Sequence, residues 1–479
     1  MPKYLFIEMN KPYKILWYIL SVFLLLFVVS YIFPKKGFII SDEIIIKFPS
    51  LLDYFAAKEK DSTSLRVEKI ANKYEIAILS EDSLQWNIAM ESLDSLSAAN
   101  EKIIHPNDFE NALAKFYNKL EKIKAGELVR VLHFGDSQIE GDRISGVIRS
   151  MLQEKFGGCG VGYIPITDPG FDRKSIQRTN TGTWEKYSVV RSQKTPPHNR
   201  YGVLGSFFQW SKGGASIQLK KNEKTYQRTQ KFEQISLLYN GSEEFVCRFS
   251  VDTTIFQQGI LPADSAVTNY QWIFDGFGNH VINFDFSGNK SPDIYGISLD
   301  CKSGVAVDNV SMRGSSGNDF SKMDKLVLKQ QIQKLNVGLI IYEFGVNIVP
   351  NVLNDYGWYK QMVIQQINLL KKLAPDASIL IVGVSDMCRK EETEFASYPN
   401  IEKIRNAQRE AAQITGCAFW DLYQVMGGKN SMSEWVSANP SLAEKDYTHF
   451  TWRGANIVGN KLANAILNDY NEFKELEIY

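Results

Sequence analysis

The spacing of hydrophobic positions changes three times along the chain, and each change predicts a different kind of structure. Residues 15–33 form an uncharged apolar run long enough to cross a bilayer as a helix. Strand-like and helical runs alternate around 128–156 and again after about 320, which predicts a parallel sheet in a three-layer α/β domain. Between these blocks, short runs alternate apolar and polar residues without a lasting helical period. That pattern is typical of a β-sandwich, which we expect to interrupt the α/β domain.

Individual elements follow from the same runs. The β-rich run Leu128–Phe134 ends at Gly-Asp-Ser, and Ile139–Phe156 carries apolar residues at helical spacing. Residues 109–123 also have helical spacing, after a Pro-Asn-Asp cap. In the second α/β block, strands are predicted at 337–344, 378–384 and 418–422, and helices at 356–373, 401–415 and 454–470.

The predicted boundaries divide the chain into five parts. These are an anchor at 1–36, a tether with a helical segment at 37–124, the first α/β part at 125–160, the inserted β-sandwich at 161–310 and the second α/β part at 311–479. The apolar run ends in Tyr-Ile-Phe-Pro-Lys-Lys, which lacks the small-x-small site of a cleaved signal peptide. We therefore predict an uncleaved single-pass anchor in the cytoplasmic membrane. The bulk of the chain would lie in the periplasm or outside the cell.

Charge and cysteine content exclude several classes of function. The chain has 54 basic and 54 acidic residues, so no overall field attracts nucleic acid. Five cysteines occur without a C-x-x-C pair, and no His, Cys or carboxylate group has metal-ligand spacing. We expect neither a metal nor a cofactor. One disulfide in an oxidising compartment is compatible with five cysteines, but their spacing does not name the pair.

Two short motifs carry candidate catalytic residues. Ser137 follows a predicted strand and begins a helical segment, which is where α/β sheets bind ligands and where its N–H can donate to an oxyanion. A serine nucleophile needs a base, and the base needs an orienting acid. His449 is the only histidine after His280, and Asp446 precedes it by one turn. Taken alone, each motif is more often a turn or a loop histidine.

Two further loops offer donors for an oxyanion hole. Asn347 follows the strand 337–344, where its amide could donate to a developing negative charge. Gly317 lies where the chain leaves the β-rich insert, and a glycine there allows close approach of a backbone N–H. Gly314 flanks the same turn and is an alternative for that role.

The order of these motifs resembles that of the SGNH hydrolases, also called GDSL-type esterases. The resemblance covers about 128–156 and 303–479 and implies nucleophile Ser137, base His449 and supporting acid Asp446. It also implies that Ser137, Gly317 and Asn347 form the oxyanion hole. There are two departures: Gln138 replaces the family's usual leucine, and Ile348 replaces the usual aspartate. Neither position transfers a proton, so the implied mechanism is retained in a divergent subgroup.

The long gap between the serine motif and the glycine motif indicates which subgroup of the family the chain resembles. About 180 residues separate Ser137 from Gly317, where SGNH domains usually have a few dozen. A β-sandwich at this place resembles the bacterial peptidoglycan O-acetylesterases, whose insert is similar to a carbohydrate-binding module. Trp184, Trp210 and Trp272 could stack on sugars there, although a role in the sandwich core is the more frequent fate of such residues.

The resemblance implies a serine esterase that removes O-acetyl groups from a cell-envelope glycan, with peptidoglycan as the preferred candidate. Its expected partners are an acetylated polysaccharide and, through the N-terminal helix, the membrane. Two alternatives stay open. The same triad could act as a glycan O-acetyltransferase, with a membrane O-acyltransferase partner that supplies acetyl groups. The chain could also be a non-catalytic glycan-binding protein.

Overall fold

A computed structural model describes most of the chain. By compactness the protein divides into two units, Met1–Ser62 and Thr63–Tyr479, which are treated separately below. Elements are numbered in chain order. The described residues are 12–32, 38–41, 44–46, 63–68, 70, 101–106, 111–168, 173–223, 225–277, 280–392 and 394–476.

The first unit contains the apolar helix that the sequence predicts. Helix α1 spans Pro12–Ile32, and its window Ile15–Ile32 has a mean hydropathy of 2.5. In the described part of the chain this is the one helix with the length and composition of a membrane span, a property that signal sequences share. Strands β1 (Phe38–Ser41) and β2 (Ile44–Ile46) pair as an antiparallel hairpin.

A five-stranded parallel sheet forms the centre of the second unit, in the order β13-β3-β14-β15-β18. All of its strands are buried apart from the first residue of β3 and the last residue of β13, as expected when helices cover both faces of a parallel sheet. The α/β prediction is confirmed at this level. The strands are β3 (Leu128–Gly135), β13 (Gly304–Ser311), β14 (Val337–Glu343), β15 (Ser378–Val382) and β18 (Ala418–Trp420).

Successive side chains of these strands pack into two separate cores. Leu132, Phe134 and Tyr342 belong to a core shared with helices α4, α5 and α6, whereas Val131 and Ile341 belong to a core shared with α2, α3 and α9. The period of two along each strand therefore produces three layers. The helices are α2 (Ala114–Glu121), α3 (Ser145–Phe156), α4 (Lys325–Lys334), α5 (Gly357–Leu373), α6 (Ile401–Thr415), α7 (Leu422–Met426), α8 (Ser431–Ser437) and α9 (Trp452–Leu476). A short hairpin pairs β16 (Cys388–Glu391) with β17 (Glu394–Ser397).

The segment after β3 differs from the continuous helix expected over 139–156. A 3₁₀ turn covers Ser137–Asp142, and the α-helix begins only at Ser145. Glu140 is extended and Gly141 has a φ of 68°, so the backbone kinks between the two. This kink separates the candidate nucleophile from the helix that follows it.

The inserted region is all β, as predicted, but its strands form one connected antiparallel sheet. Its hydrogen-bonded order is β10-β7-β12-β6-β11-β8-β9, with β4 on β12 and β5 on β6. The strands are β4 (Gly162–Ile164), β5 (Ile176–Ser188), β6 (Ser206–Lys221), β7 (Lys231–Gly241), β8 (Phe245–Val251), β9 (Thr254–Leu261), β10 (Asp264–Phe277), β11 (Val281–Ser287) and β12 (Asp293–Asp300).

Strand β6 explains why the expected sandwich of two separate sheets is replaced by a curled sheet. It pairs with β12 near Phe208 and with β11 over residues 215–220. Between these two parts, Gly213 and Gly214 have φ values of 95° and 91°, which side chains other than glycine rarely adopt. The sheet therefore bends there, and strands from both ends enclose one core.

The root of the insert is fixed by a disulfide and a buried ion pair. Cys159, just before β4, is bonded to Cys301, just after β12. Arg130 on β3 contacts Asp300 of the insert at 2.5 Å and Asp308 on β13 at 2.7 Å, all three being buried. Because β13 pairs in parallel with β3, the chain returns to the α/β sheet at Gly304. The boundary predicted at residue 310 is therefore corrected to about 300.

Candidate active site

Three neighbouring strands of the parallel sheet end at one edge, and hydrogen bonds tie together the loops that follow them. The N–H of Met312, after β13, donates to the carbonyl oxygen of Gly135 at 2.7 Å. Asp136, after β3, accepts at its carboxylate from the N–H of Gly345 at 3.2 Å, in the loop after β14. The side chain of Asp136 also accepts from the N–H of Gln138. This edge is where open α/β sheets place their ligands.

Ser137, His449 and Asp446 form a continuous hydrogen-bonded chain at this edge. The Ser137 Oγ lies 2.8 Å from His449 Nε2, and His449 Nδ1 lies 2.6 Å from Asp446 Oδ2. Ser137 is 8% exposed, whereas His449 and Asp446 are more open to solvent. The arrangement has the order nucleophile, base and orienting acid that serine hydrolysis requires. The structure thus brings together three residues that the sequence places up to 312 positions apart.

The environment of Asp446 keeps its carboxylate ionised. Partial burial raises its pKa, but the His449 side chain and the N–H groups of His449 and Thr448 outweigh this by donating to the carboxylate. The net effect lowers the pKa of Asp446 to about 2. A permanent anion at this place can orient the imidazole and stabilise an imidazolium.

The loop that carries His449 is held by two side chains from the nucleophile segment. The Gln138 carboxamide donates to Thr448 O at 2.6 Å and accepts from the N–H of Phe450 at 3.4 Å. Arg143 donates to Phe450 O at 2.9 Å and to Ser137 O at 3.0 Å. Gln138 is 2% exposed. The sequence identifies Gln138 as a departure from the family's leucine, and a polar residue there is similar to the peptidoglycan O-acetylesterases, but the sequence assigns no role to Gln138 or Arg143.

The oxyanion candidates meet around Ser315. The Asn347 side chain donates to Ser315 O at 2.8 Å, which leaves its second amide hydrogen for another acceptor. The N–H of Gly317 donates to Ser315 Oγ at 2.9 Å. In this state the Gly317 donor is therefore already engaged, although Gly317 and Asn347 lie on neighbouring loops as expected.

The two glycines of this turn have different surroundings. Gly317 has a φ of 85°, and a Cβ there would overlap the hydroxyl of Tyr342, so only glycine fits. Gly314 has a φ of 81°, and a Cβ there would lie 3.3 Å from the guanidinium of Arg191. Gly314 thus lies next to a side chain of the insert.

The three tryptophans of the insert do not share one environment. Trp210 is 6% exposed and Trp272 is 4% exposed, and both belong to the core of the insert. The suggestion that these two stack on sugars is therefore wrong, because their faces are covered by neighbouring aromatic rings. Trp184 is partly exposed, and its ring nitrogen donates to Ser216 O.

One group of side chains in the described part of the chain has the proximity of metal ligands. It consists of Cys159, Glu233 and Cys301. Both sulfur atoms of this group belong to the disulfide, so they are unavailable for coordination.

Comparisons with known proteins agree with this fold. No family model and no curated protein matches the chain. Among solved structures, a peptidoglycan O-acetylesterase superposes with a TM-score of 0.62 at 20% identity, covering 77% of this chain and 99% of that one. An acetyl xylan esterase matches with a TM-score of 0.27 at 17% identity, over 34% of this chain and 81% of that one, which is too weak to add to the argument. The chain shares the fold of this peptidoglycan O-acetylesterase, which confirms the predicted resemblance at the level of the fold.

Proposed function

We propose that this protein is a serine esterase that removes O-acetyl groups from a cell-envelope glycan, with peptidoglycan as the first candidate. The observation that carries the proposal is the hydrogen-bonded chain Ser137–His449–Asp446 at the carboxyl edge of the parallel sheet. The fold shared with a peptidoglycan O-acetylesterase supports the choice of an acetyl ester and of a glycan. The apolar helix α1 and the disulfide of the insert support a site of action outside the cytoplasm.

In the first half-reaction, Ser137 Oγ attacks the acetyl carbonyl carbon while His449 Nε2 takes the hydroxyl proton. Asp446 accepts a hydrogen bond from His449 Nδ1–H and stabilises the imidazolium that forms. The tetrahedral intermediate collapses, His449 returns the proton to the sugar oxygen, and the sugar hydroxyl leaves. An acetyl group remains on Ser137.

In the second half-reaction, water gives a proton to His449 and attacks the acetyl-enzyme, and acetate is released as Ser137 recovers its hydrogen. We assign the oxyanion to the N–H of Ser137 and the free amide hydrogen of Asn347. The N–H of Gly317 would join them if Ser315 Oγ gave up its present hydrogen bond. Loss of one such donor costs about a hundred- to a thousandfold in kcat.

The proposal is tested by acetate release from O-acetylated peptidoglycan. Ser137→Ala and His449→Ala should each reduce release to the background rate, while circular dichroism shows an unchanged fold. Ser437→Ala, on the exposed face of α8, is the matched control and should behave as wild type. Release by Ser137→Ala at the wild-type rate would reject the nucleophile.

The same assay separates the two other functions. Adding an unacetylated glycan and measuring acetyl transfer to it tests for an O-acetyltransferase, because water and sugar then compete for the acetyl-enzyme. A protein that binds the glycan but cleaves neither peptidoglycan acetate nor 4-nitrophenyl acetate would be a glycan-binding protein without catalysis.

A further inference from the structure

A groove of about 500 Å³ runs between the insert and the catalytic edge of the parallel sheet. One wall comes from the insert and includes Trp184–Lys186 and Arg191. The other wall comes from Ser311–Arg313, which follow β13, and from Glu140 in the nucleophile segment. The insert and the α/β part therefore form the two walls of one cavity.

The groove lies beside the segment that carries the nucleophile. The Ser311 hydroxyl, on its wall, donates to the carbonyl oxygen of Asp136 at 3.3 Å, one residue before Ser137. Glu140 is three residues after Ser137, within the same 3₁₀ turn. A polymer with its ester at Ser137 can extend along this groove and contact the insert.

Most charges in the groove compensate each other. Each of its acidic side chains has a basic neighbour: Glu185 with Lys194 at 2.5 Å, Asp168 with Lys186 at 3.6 Å, and Glu140 with Arg313 at 3.7 Å. Among the described residues that line the groove, Arg191 is the cation without an acidic side chain in ion-pair distance. One positive charge therefore remains for a ligand.

The guanidinium of Arg191 lies beside the loop that follows β13. Its Nη2, Cζ and Nε atoms are 3.3 to 3.5 Å from the position that a Cβ at Gly314 would occupy. Gly314 is three residues before Gly317, one of the oxyanion candidates. Arg191 is exposed, and its guanidinium presents a planar fork that matches a carboxylate.

We propose that Arg191 recognises a carboxylate of the glycan substrate in this groove. The inference rests on the proposed function and narrows its substrate to acidic glycans. Polymers with uronic acids, or with peptide side chains that end in carboxylates as in peptidoglycan, belong to this class.

Two defined substrates test the inference in the full-length protein. Chemically acetylated oligogalacturonide carries carboxylates, whereas acetylated cello-oligosaccharide is neutral. Arg191→Gln should lower kcat/KM about tenfold on the acidic substrate, chiefly through KM, because one charge-assisted contact in an open groove is lost. It should leave the neutral oligosaccharide and 4-nitrophenyl acetate within twofold of wild type. Arg191→Lys should recover part of the loss, since it keeps the charge without the fork.

Arg248→Gln is the matched control, because Arg248 lies on β8 of the insert and does not line the groove. It should leave all three rates unchanged. An equal loss on the acidic and neutral substrates in Arg191→Gln would assign Arg191 a structural role and overturn the inference. Unchanged hydrolysis of the acidic substrate would overturn it as well.

Binding separates this inference from the esterase proposal. In Ser137→Ala, calorimetry with unacetylated oligogalacturonide should show binding that weakens with added salt and falls about tenfold in the additional Arg191→Gln variant. Failure of the wild type to cleave any acetyl ester rejects the esterase and leaves this measurement valid. Equal binding of oligogalacturonide and cello-oligosaccharide rejects the carboxylate site, whatever the catalytic result.

Discussion

Gln138 directly follows the proposed nucleophile Ser137, yet its side chain is hydrogen-bonded to the loop of the proposed base His449. Its carboxamide contacts the backbone of Thr448 and Phe450, the two neighbours of His449 in the chain. It also donates to Ser385 Oγ at 3.1 Å, and so uses both amide hydrogens. A leucine at this place could fill the volume but could not hold the backbone on both sides of the imidazole.

We therefore predict that Gln138→Leu lowers kcat about 10- to 100-fold with little change in KM, because a base displaced by less than an ångström transfers protons poorly. The measurement is steady-state hydrolysis of 4-nitrophenyl acetate. Gln413→Leu, an exposed glutamine on α6, is the control for the loss of an amide. A rise in KM at unchanged kcat would show that Gln138 contacts substrate instead of positioning the base.

Asp446 predicts a pH dependence of stability. Its pKa in the folded protein lies below the value in the unfolded chain, so its ionised form stabilises the fold above about pH 4, and this contribution is lost as the pH falls towards 2. Asp446→Asn should unfold at a lower temperature than wild type at pH 6. The difference between the two melting temperatures should shrink below about pH 4. A difference that grows on acidification would contradict the lowered pKa.

Ser137, His449, Asp446 and Asn347 could be found from the sequence because local motifs carry them in a fixed order. Gln138 and Arg143 could not, because they bind backbone atoms some 310 positions away and such bonds leave no pattern in the chain. Gly314 shows a different limit. The sequence identified this glycine as a candidate, but it could not predict that the glycine lies next to Arg191 of the insert.

At the scale of elements, helices with strong periodicity were predicted well and several strands were missed. Helix α6 begins and ends where its apolar spacing predicts, at Ile401 and Thr415. Strand β9 was missed because it is exposed almost throughout, so its residues do not alternate. Strand β13 is buried on both faces and follows the insert directly, so its run Val305–Val310 was assigned to the insert. Hydrophobic periodicity reveals a strand only when one face is buried and the other exposed. It cannot identify a strand whose two faces are both exposed or both buried.

The disulfide between Cys159 and Cys301 joins the two ends of the insert, and we predict that it stabilises the whole second unit. Replacing both cysteines by serine should lower the free energy of unfolding by about 2–4 kcal/mol, because the unfolded chain is no longer closed over a sequence separation of 142 residues. Urea unfolding with and without reductant measures this. Reductant should destabilise the wild type and leave the double variant unchanged. If the reductant destabilised the wild type and the double variant equally, its effect would come from other thiols and not from this disulfide.

At the scale of the whole molecule, the apolar helix and the hydrolase fold belong to different units. We predict that a chain lacking residues 1–62 leaves the membrane fraction and keeps the wild-type kcat on 4-nitrophenyl acetate, since all residues assigned to the site lie in the second unit. Fractionation of cells that express either form is the measurement. Retention of the shortened chain in membranes would locate the anchor elsewhere.

The interrupted α/β sheet has a consequence for how the protein is made. Strand β3 ends two residues before Ser137, and its partners among the described strands are β13 and β14, which both lie beyond the insert in the chain. His449 follows later still, 312 residues after the serine. If the proposed function is right, a ribosome that has completed Ser137 has made a chain that still lacks its base, and esterase activity requires that the segment with His449 has also emerged and folded. Premature termination before His449 would then leave a chain without esterase activity.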